Sequence, residues 1–175
     1  MKLKKYLLVV GIATLSLSGA ACGKVKSGST TESTGASDSG SKEAGAEIDV
    51  KTVAADIKKE GIFKDQLAEI DPDIAINRIY HLDSAKLESY SFYTNTGATA
   101  EEIAVIKVND ESYLKNIENS FNNRIDDQKD ACRDYLPDEV TKLDKAVVKV
   151  SGPYAIFVVS EDPEKANEII GRYIK

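Results

Sequence analysis

The chain has 175 residues, of which 30% are charged, with one histidine, two cysteines and no tryptophan. Its net charge is -6, and three units more negative once a leader carrying Lys2, Lys4 and Lys5 is removed. This argues against a nucleic-acid surface, which needs clustered Lys and Arg facing phosphates. The length suits one domain whose core needs neither disulfide nor structural metal.

The N-terminus reads as an export signal. Three lysines precede an apolar run from Tyr6 to Leu17, and small residues Gly19-Ala20-Ala21 stand before Cys22. The run is interrupted by Gly11, Thr14 and Ser16 and is too short to cross a hydrocarbon core, which takes about 20 mostly apolar residues. The arrangement matches a lipobox except at Gly19, where Leu is commonest. Residues 1–21 are therefore expected to be cleaved and Cys22 to carry the lipid. A diacylglyceryl group puts at least two acyl chains in the bilayer, which makes a stable anchor where one chain is marginal.

Residues 22–46 alternate Ser, Thr and Gly, as in Ser27-Gly28-Ser29-Thr30-Thr31, with no large apolar residue after Val25. Such a composition makes a coil with a reach of roughly 25 to 30 Å, a tether rather than a core. The remaining 47–175 reads as one globular domain.

That domain opens with a helix: Val50, Val53, Ala54 and Ile57 recur at helical spacing behind Asp49, and Gly61 marks its end. Asp71-Pro72 starts a second, short helix over 73–80. Leu87 to Thr94 then reads as a strand with Tyr90 and Phe92 on one face, and a turn-rich Asn95 to Thr99 leads to a strand at 103–108. A helix over 111–135 follows, with a stripe of Leu114, Ile117, Phe121, Ile125, Cys132 and Tyr135. Beyond a breaker at Pro137 come strands at 146–150 and 154–160 around Ser151-Gly152-Pro153, and a last helix capped by Asp162. The pattern predicts an α+β fold: a four-stranded antiparallel sheet from two ββα units, helices packed on one face, and one or two N-terminal helices before it. Ala104 to Asp110 parallels Ala155 to Glu161, consistent equally with duplication and with the common form of any ββα unit. An open second sheet face would be the place for a partner.

Gly97-Ala98-Thr99-Ala100-Glu101-Glu102-Ile103-Ala104-Val105, the long acidic helix after it, Tyr135-Leu136-Pro137 and Ala146-Val147-Val148-Lys149-Val150 together resemble a lipoprotein family of Gram-positive bacteria. That family is known only as a domain of unknown function. The resemblance covers about Val53 to Ile174. It implies fold and envelope address, and brings no activity, cofactor or site residue.

Residues able to carry chemistry are few. His81 stands alone, so a His-based zinc site or a Cys/His pair lacks partners. With Cys22 lipidated, Cys132 has no disulfide partner and belongs to an apolar stripe, as an inert thiol does. Asp126, Asp130 and Asp134 share a helix face, yet Lys129 and Arg133 lie beside them at ion-pair spacing, which reads as a solvated surface. Glu101-Glu102 reads as a turn-and-register device rather than an acid/base pair. No folded serine sits in a Gly-x-Ser-x-Gly elbow. No catalytic residue, metal site or cofactor is expected. Tyr90, Tyr93 and Tyr154 are the candidate binding surface, since tyrosine is enriched at interfaces. The reading is a non-enzymatic binding or interaction module, held on the extracytoplasmic face of the cell membrane by lipid on Cys22, with an envelope protein or ligand as partner. A small-ligand sensor or delivery lipoprotein is the alternative, and a carboxylate hydrolase ranks last.

Overall fold

In the computed structural model, residues 47–175 are described, and the leader, Cys22 and the tether lie outside them. The first helix, α1 (Val50–Lys59), forms where its periodicity places it. Asp49 caps it by accepting from the backbone N–H groups of Lys51 and Thr52, and Val50, Val53, Ala54 and Ile57 form its buried face. A two-residue strand, β1 (Ala68–Glu69), comes next and is absent from the expected four. Asp71 and Pro72 then start α2 (Pro72–Ile74), with the Asp71 carboxylate accepting from the N–H groups of Asp73 and Ile74. The chain does not continue as α-helix: Ala75–Ile79 is a π-helical turn closed by the Tyr80 N–H donating to the Ala75 carbonyl at 2.9 Å.

The two hairpins appear as β2 (Leu87–Thr94) with β3 (Glu102–Val108), and β4 (Val147–Ser151) with β5 (Tyr154–Val159). Pairing is antiparallel throughout, in the order β1-β2-β3-β5-β4, so the sheet has five strands rather than four. Helix α3 (Leu114–Cys132) is entered through a single 3-10 turn at Glu111–Tyr113. Pro137 proves to be a start, standing at the first position of α4 (Pro137–Leu143), because a residue without an N–H suits a helix N-terminus. The last helix is α5 (Pro163–Ile170), with Asp162 accepting from the Lys165 N–H at 2.8 Å.

Helices cover both faces of the sheet, which corrects the expectation of one covered and one open face. On one side Val53, Ala54 and Ile57 of α1 and Ala166, Ile169 and Ile170 of α5 pack against Ile103, Val105, Ile156 and Val158. On the other, Ile76, Tyr80, Ile117, Phe121 and Leu143 pack against Phe92, Ala104, Ile106 and Phe157. The cause is written in the central strands. Successive side chains of a strand point to opposite faces, and Ile103-Ala104-Val105-Ile106 and Ala155-Ile156-Phe157-Val158-Val159 are apolar at both parities. Neither face can be left to water.

The same arrangement separates the two ββα units. A rotation that exchanges antiparallel β3 with β5 within one sheet preserves its faces, and would put α3 and α5 on the same side. They pack on opposite sides, so the likeness stops at the strands.

Candidate functional site

The three candidate tyrosines do not share a surface. Tyr90 is half-buried against the α3 layer, its ring stacked on Phe92 at 5.5 Å between centroids. Tyr93 faces the opposite layer, with the Lys58 ammonium 4.7 Å from its ring centre. Tyr154 is only 7% exposed, and its hydroxyl accepts from the Ile48 N–H at 2.9 Å. With both sheet faces covered, an open-sheet interface has no place in this fold.

Glu101 and Glu102 are both fully buried, and strand alternation sends them into two separate networks. The Glu101 carboxylate accepts from the backbone N–H groups of Lys64 and Asp65 at 2.9 and 2.8 Å, and from Lys142 at 3.1 Å. Lys142 also reaches Glu139 at 3.1 Å and Glu161 at 2.7 Å, and Glu139 accepts from the Ala100 N–H at 2.7 Å. Burial by itself would lower the Lys142 pKa, but hydrogen bonds to Glu161, Glu139 and Glu101 hold it above its ordinary value. This cluster fastens α4 and the 64–65 loop to the start of β3.

Glu102 turns to the α3 layer. It accepts from the Tyr80 hydroxyl, from Nη2 of Arg124 at 2.8 Å and from Nε2 of Gln128 at 2.7 Å. Burial, reinforced by the charge of Glu102 and its hydrogen bond, pushes the Tyr80 phenol well above its ordinary pKa. Burial acts downward on Arg124, and the charge and hydrogen bond of Glu102, with Tyr80 and Asp127 beside it, together outweigh it and hold its pKa above the ordinary value. The two carboxylates thus serve as hubs facing apart, consistent with a turn-and-register role for the motif.

Above the Glu102 hub lies a polar cleft of about 260 Å³, between the segment Ile79–Leu82 and α3. From α3 it is lined by Asn116, Asn119, Ser120, Asn123, Arg124 and Asp127. His81 stands on its rim with a φ of 51°, in the left-handed region, where histidine is among the more tolerated residues. The loop holding it is tied on both sides: the Ser120 hydroxyl donates to the Tyr80 carbonyl, and the Asp83 N–H donates to the Tyr113 hydroxyl at 2.8 Å. Single π-helical turns occur frequently at functional sites. Asn116, Asn119 and Asn123 are exposed, and their carboxamides take no part in the hydrogen bonds that hold the walls.

Sequence reading weighed His81 without its neighbours and passed over the asparagines. Their spacing of three and four residues, continued by Asp127, is legible as a polar helix stripe, but only the fold sets it opposite the π-turn. Asp126, Asp130 and Asp134 are exposed, Asp130 paired with Arg133, and no metal-binding group of His, Cys, Asp or Glu is present among the described residues. Cys132 is half-buried, with burial raising its thiol pKa.

A second concavity is larger, a groove of about 950 Å³ where Glu47 to Thr52 meet Arg172 to Lys175. Its main charged side chains are already engaged. Lys107 is paired with Glu47 at 2.9 Å and Glu88 at 2.6 Å, Arg172 with Glu60 and Glu168, and the Tyr173 hydroxyl with Asp56.

No curated protein matches the chain, and no solved structure does. Residues 62–160 match the family described as "Domain of unknown function (DUF4358)". That span contains every residue lining the polar cleft and both carboxylate hubs, whereas the larger groove draws more than half its wall from outside it. As the match takes in more than half of the sequence, the chain belongs to the DUF4358 family.

Proposed function

We propose that this chain is a non-enzymatic binding module of the cell envelope, lipid-anchored through Cys22 on the extracytoplasmic face, and that its ligand seats in the cleft between the π-turn and α3. The observation carrying the binding role is that, among the described residues, the cleft's exposed Asn carboxamides have no hydrogen-bond partner while its two walls are tied to each other by hydrogen bonds. Rigid walls with free polar groups lower the ordering cost of binding. The leader, the small residues before Cys22 and the Ser/Thr/Gly tract support the address.

Delivery or sensing of a small ligand is the second reading, favoured by the 950 Å³ groove, whose size suits such a ligand. It ranks second because Lys107 and Arg172, which line the groove, are already paired with carboxylates. A carboxylate hydrolase requires two acids in a shared cleft; Glu101 and Glu102 face apart, and Asp127 is the one carboxylate lining the polar cleft.

A ligand that binds only the folded state raises its melting temperature. The mature, lipidated chain in detergent is therefore expected to melt higher in the presence of solubilised envelope fractions, and an Asn119→Ala/Asn123→Ala variant is not. An equal response of both proteins, or none from either, would remove the cleft as the binding site.

A further inference from the structure

We infer that the cleft between the π-turn and α3 takes a neutral, polyhydroxylated ligand the size of one sugar ring; this rests on the binding reading above and specifies its ligand. Size comes first. At about 260 Å³ the cleft lies just below the roughly 300 to 1,000 Å³ of pockets that hold drug-sized molecules, so a single ring fits and an extended ligand must leave most of itself outside.

Charge narrows the class. Among the described residues Arg124 is the one Lys or Arg lining the cleft, and its Nε and Nη2 are already bound to Glu102, which offsets its charge. A phosphate or carboxylate ligand would find no second Lys or Arg. Asp127 is the one lining carboxylate among the described residues, too few for a hard cation that takes six or more oxygen ligands.

The remaining chemistry is neutral and mixed. Each of Asn116, Asn119 and Asn123 offers two N–H donors and a carbonyl acceptor, the complement of a hydroxyl that both donates and accepts. Residues three or four apart on a helix stand about 5 to 6 Å apart at Cβ, so neighbouring carboxamides reach different hydroxyls of one ring. Nη1 of Arg124, left over from the Glu102 fork, adds a donor in a fixed position. Ile79, Leu82 and the half-buried ring of Tyr113 supply apolar walls for the C–H faces of a ring. The Tyr113 ring is held by the Asp83 N–H on its hydroxyl, and the His81 loop by Ser120.

Two sources share this chemistry, free monosaccharides and the terminal residue of a glycan. Amide spectra of the mature full-length chain in detergent micelles, titrated with glucose, galactose, mannose and N-acetylglucosamine, test the first. A short oligomer of N-acetylglucosamine tests the second. The expected result is saturable shifts confined to 79–83 and to the side-chain amides of Asn116, Asn119 and Asn123. Asn119→Ala or Asn123→Ser should weaken binding about tenfold, as loss of one ligand hydrogen bond does. If only the oligomer binds, the ligand is a glycan end, and the inference stands with that source.

Shifts caused by inorganic phosphate or glycine but by no neutral sugar would overturn it. So would the absence of any sugar-induced shift at saturating concentration. The two readings fail separately. If envelope fractions stabilise the parent protein and not the asparagine variant while every sugar is silent, the ligand class is wrong and binding at the cleft survives. Silence in both assays ends both.

Discussion

Tyr80 shows how much one side chain can couple in this domain. Its ring lies between Phe92 and Phe121, at 5.4 and 5.5 Å, its hydroxyl donates to Glu102, and its carbonyl accepts from Ser120 in the cleft wall. The folded-state pKa of the phenol is raised, so its contribution is present below the unfolded value of about 10 and is lost as pH climbs through that value toward the folded one. In that window unfolding releases a proton, and alkali favours it by up to about 1.4 kcal/mol per pH unit. Tyr80→Phe should therefore flatten the fall of stability above pH 10 in urea titrations stepped through pH. It should also cost about 1 to 3 kcal/mol at neutral pH, because Glu102 loses a donor while staying buried. Superimposable slopes for the two proteins would contradict this account. Little of it is legible in the sequence: Tyr80 and Glu102 lie 22 residues apart, and nothing local says that the second glutamate of the motif turns inward to meet a phenol.

Elements were far more legible than side-chain partners. Helices α1 and α5 follow from apolar spacing and aspartate caps, α3 from its apolar stripe alone, and both hairpins from alternation broken by turn residues. Failures occurred where the local signal is weak or two-sided. Strand β1 has two residues and no pattern of its own; it exists because β2 offers Tyr93 and Thr94 as partners. Pro137 reads as a stop in the sequence, although proline equally opens a helix, as it does here. The β4–β5 turn shows sequence and geometry in agreement: Ser151 pairs with Tyr154, leaving Gly152 at a φ of +53° and Pro153, which cannot take a positive φ. Glycine first, followed by a residue with negative φ, is the type II′ pattern that suits hairpin twist. An added Cβ at Gly152 meets nothing within 4 Å, so Gly152→Ala should cost only the backbone penalty, about 1 to 2 kcal/mol. Chemical denaturation should show it, and an unchanged midpoint would mean that the turn adopts another form.

Taken as a whole, the domain is a five-stranded sheet with an apolar layer on each side. The two cores meet across β3 and β5, which leave no open sheet face. Partner binding must then use an edge, a cleft or a groove, and the polar cleft is the site proposed for it. The proposed address belongs to the same scale, since it places the domain at a membrane surface through a residue outside the described part. Cys22→Ala should move the protein from the membrane to the soluble fraction on detergent phase separation, while the domain's melting temperature stays the same. Unaltered partitioning would refute the anchor.

What the sequence determined by itself was everything carried by neighbours in the chain: the composition of residues 1–46 on which the proposed leader and tether rest, helix periods and caps, and the hairpins. Such features need only a few consecutive residues, so they survive being read one segment at a time. Tertiary structure decided what depends on distant residues meeting. It split the three tyrosines between layers, sent Glu101 to Lys142 and Glu102 to Arg124, and set the asparagine stripe of α3 opposite the π-turn. The coverage of both sheet faces stands between the two. Its cause, strands apolar at both parities, is in the sequence, but which helix takes which face is settled only when the helices compete for the same apolar surface.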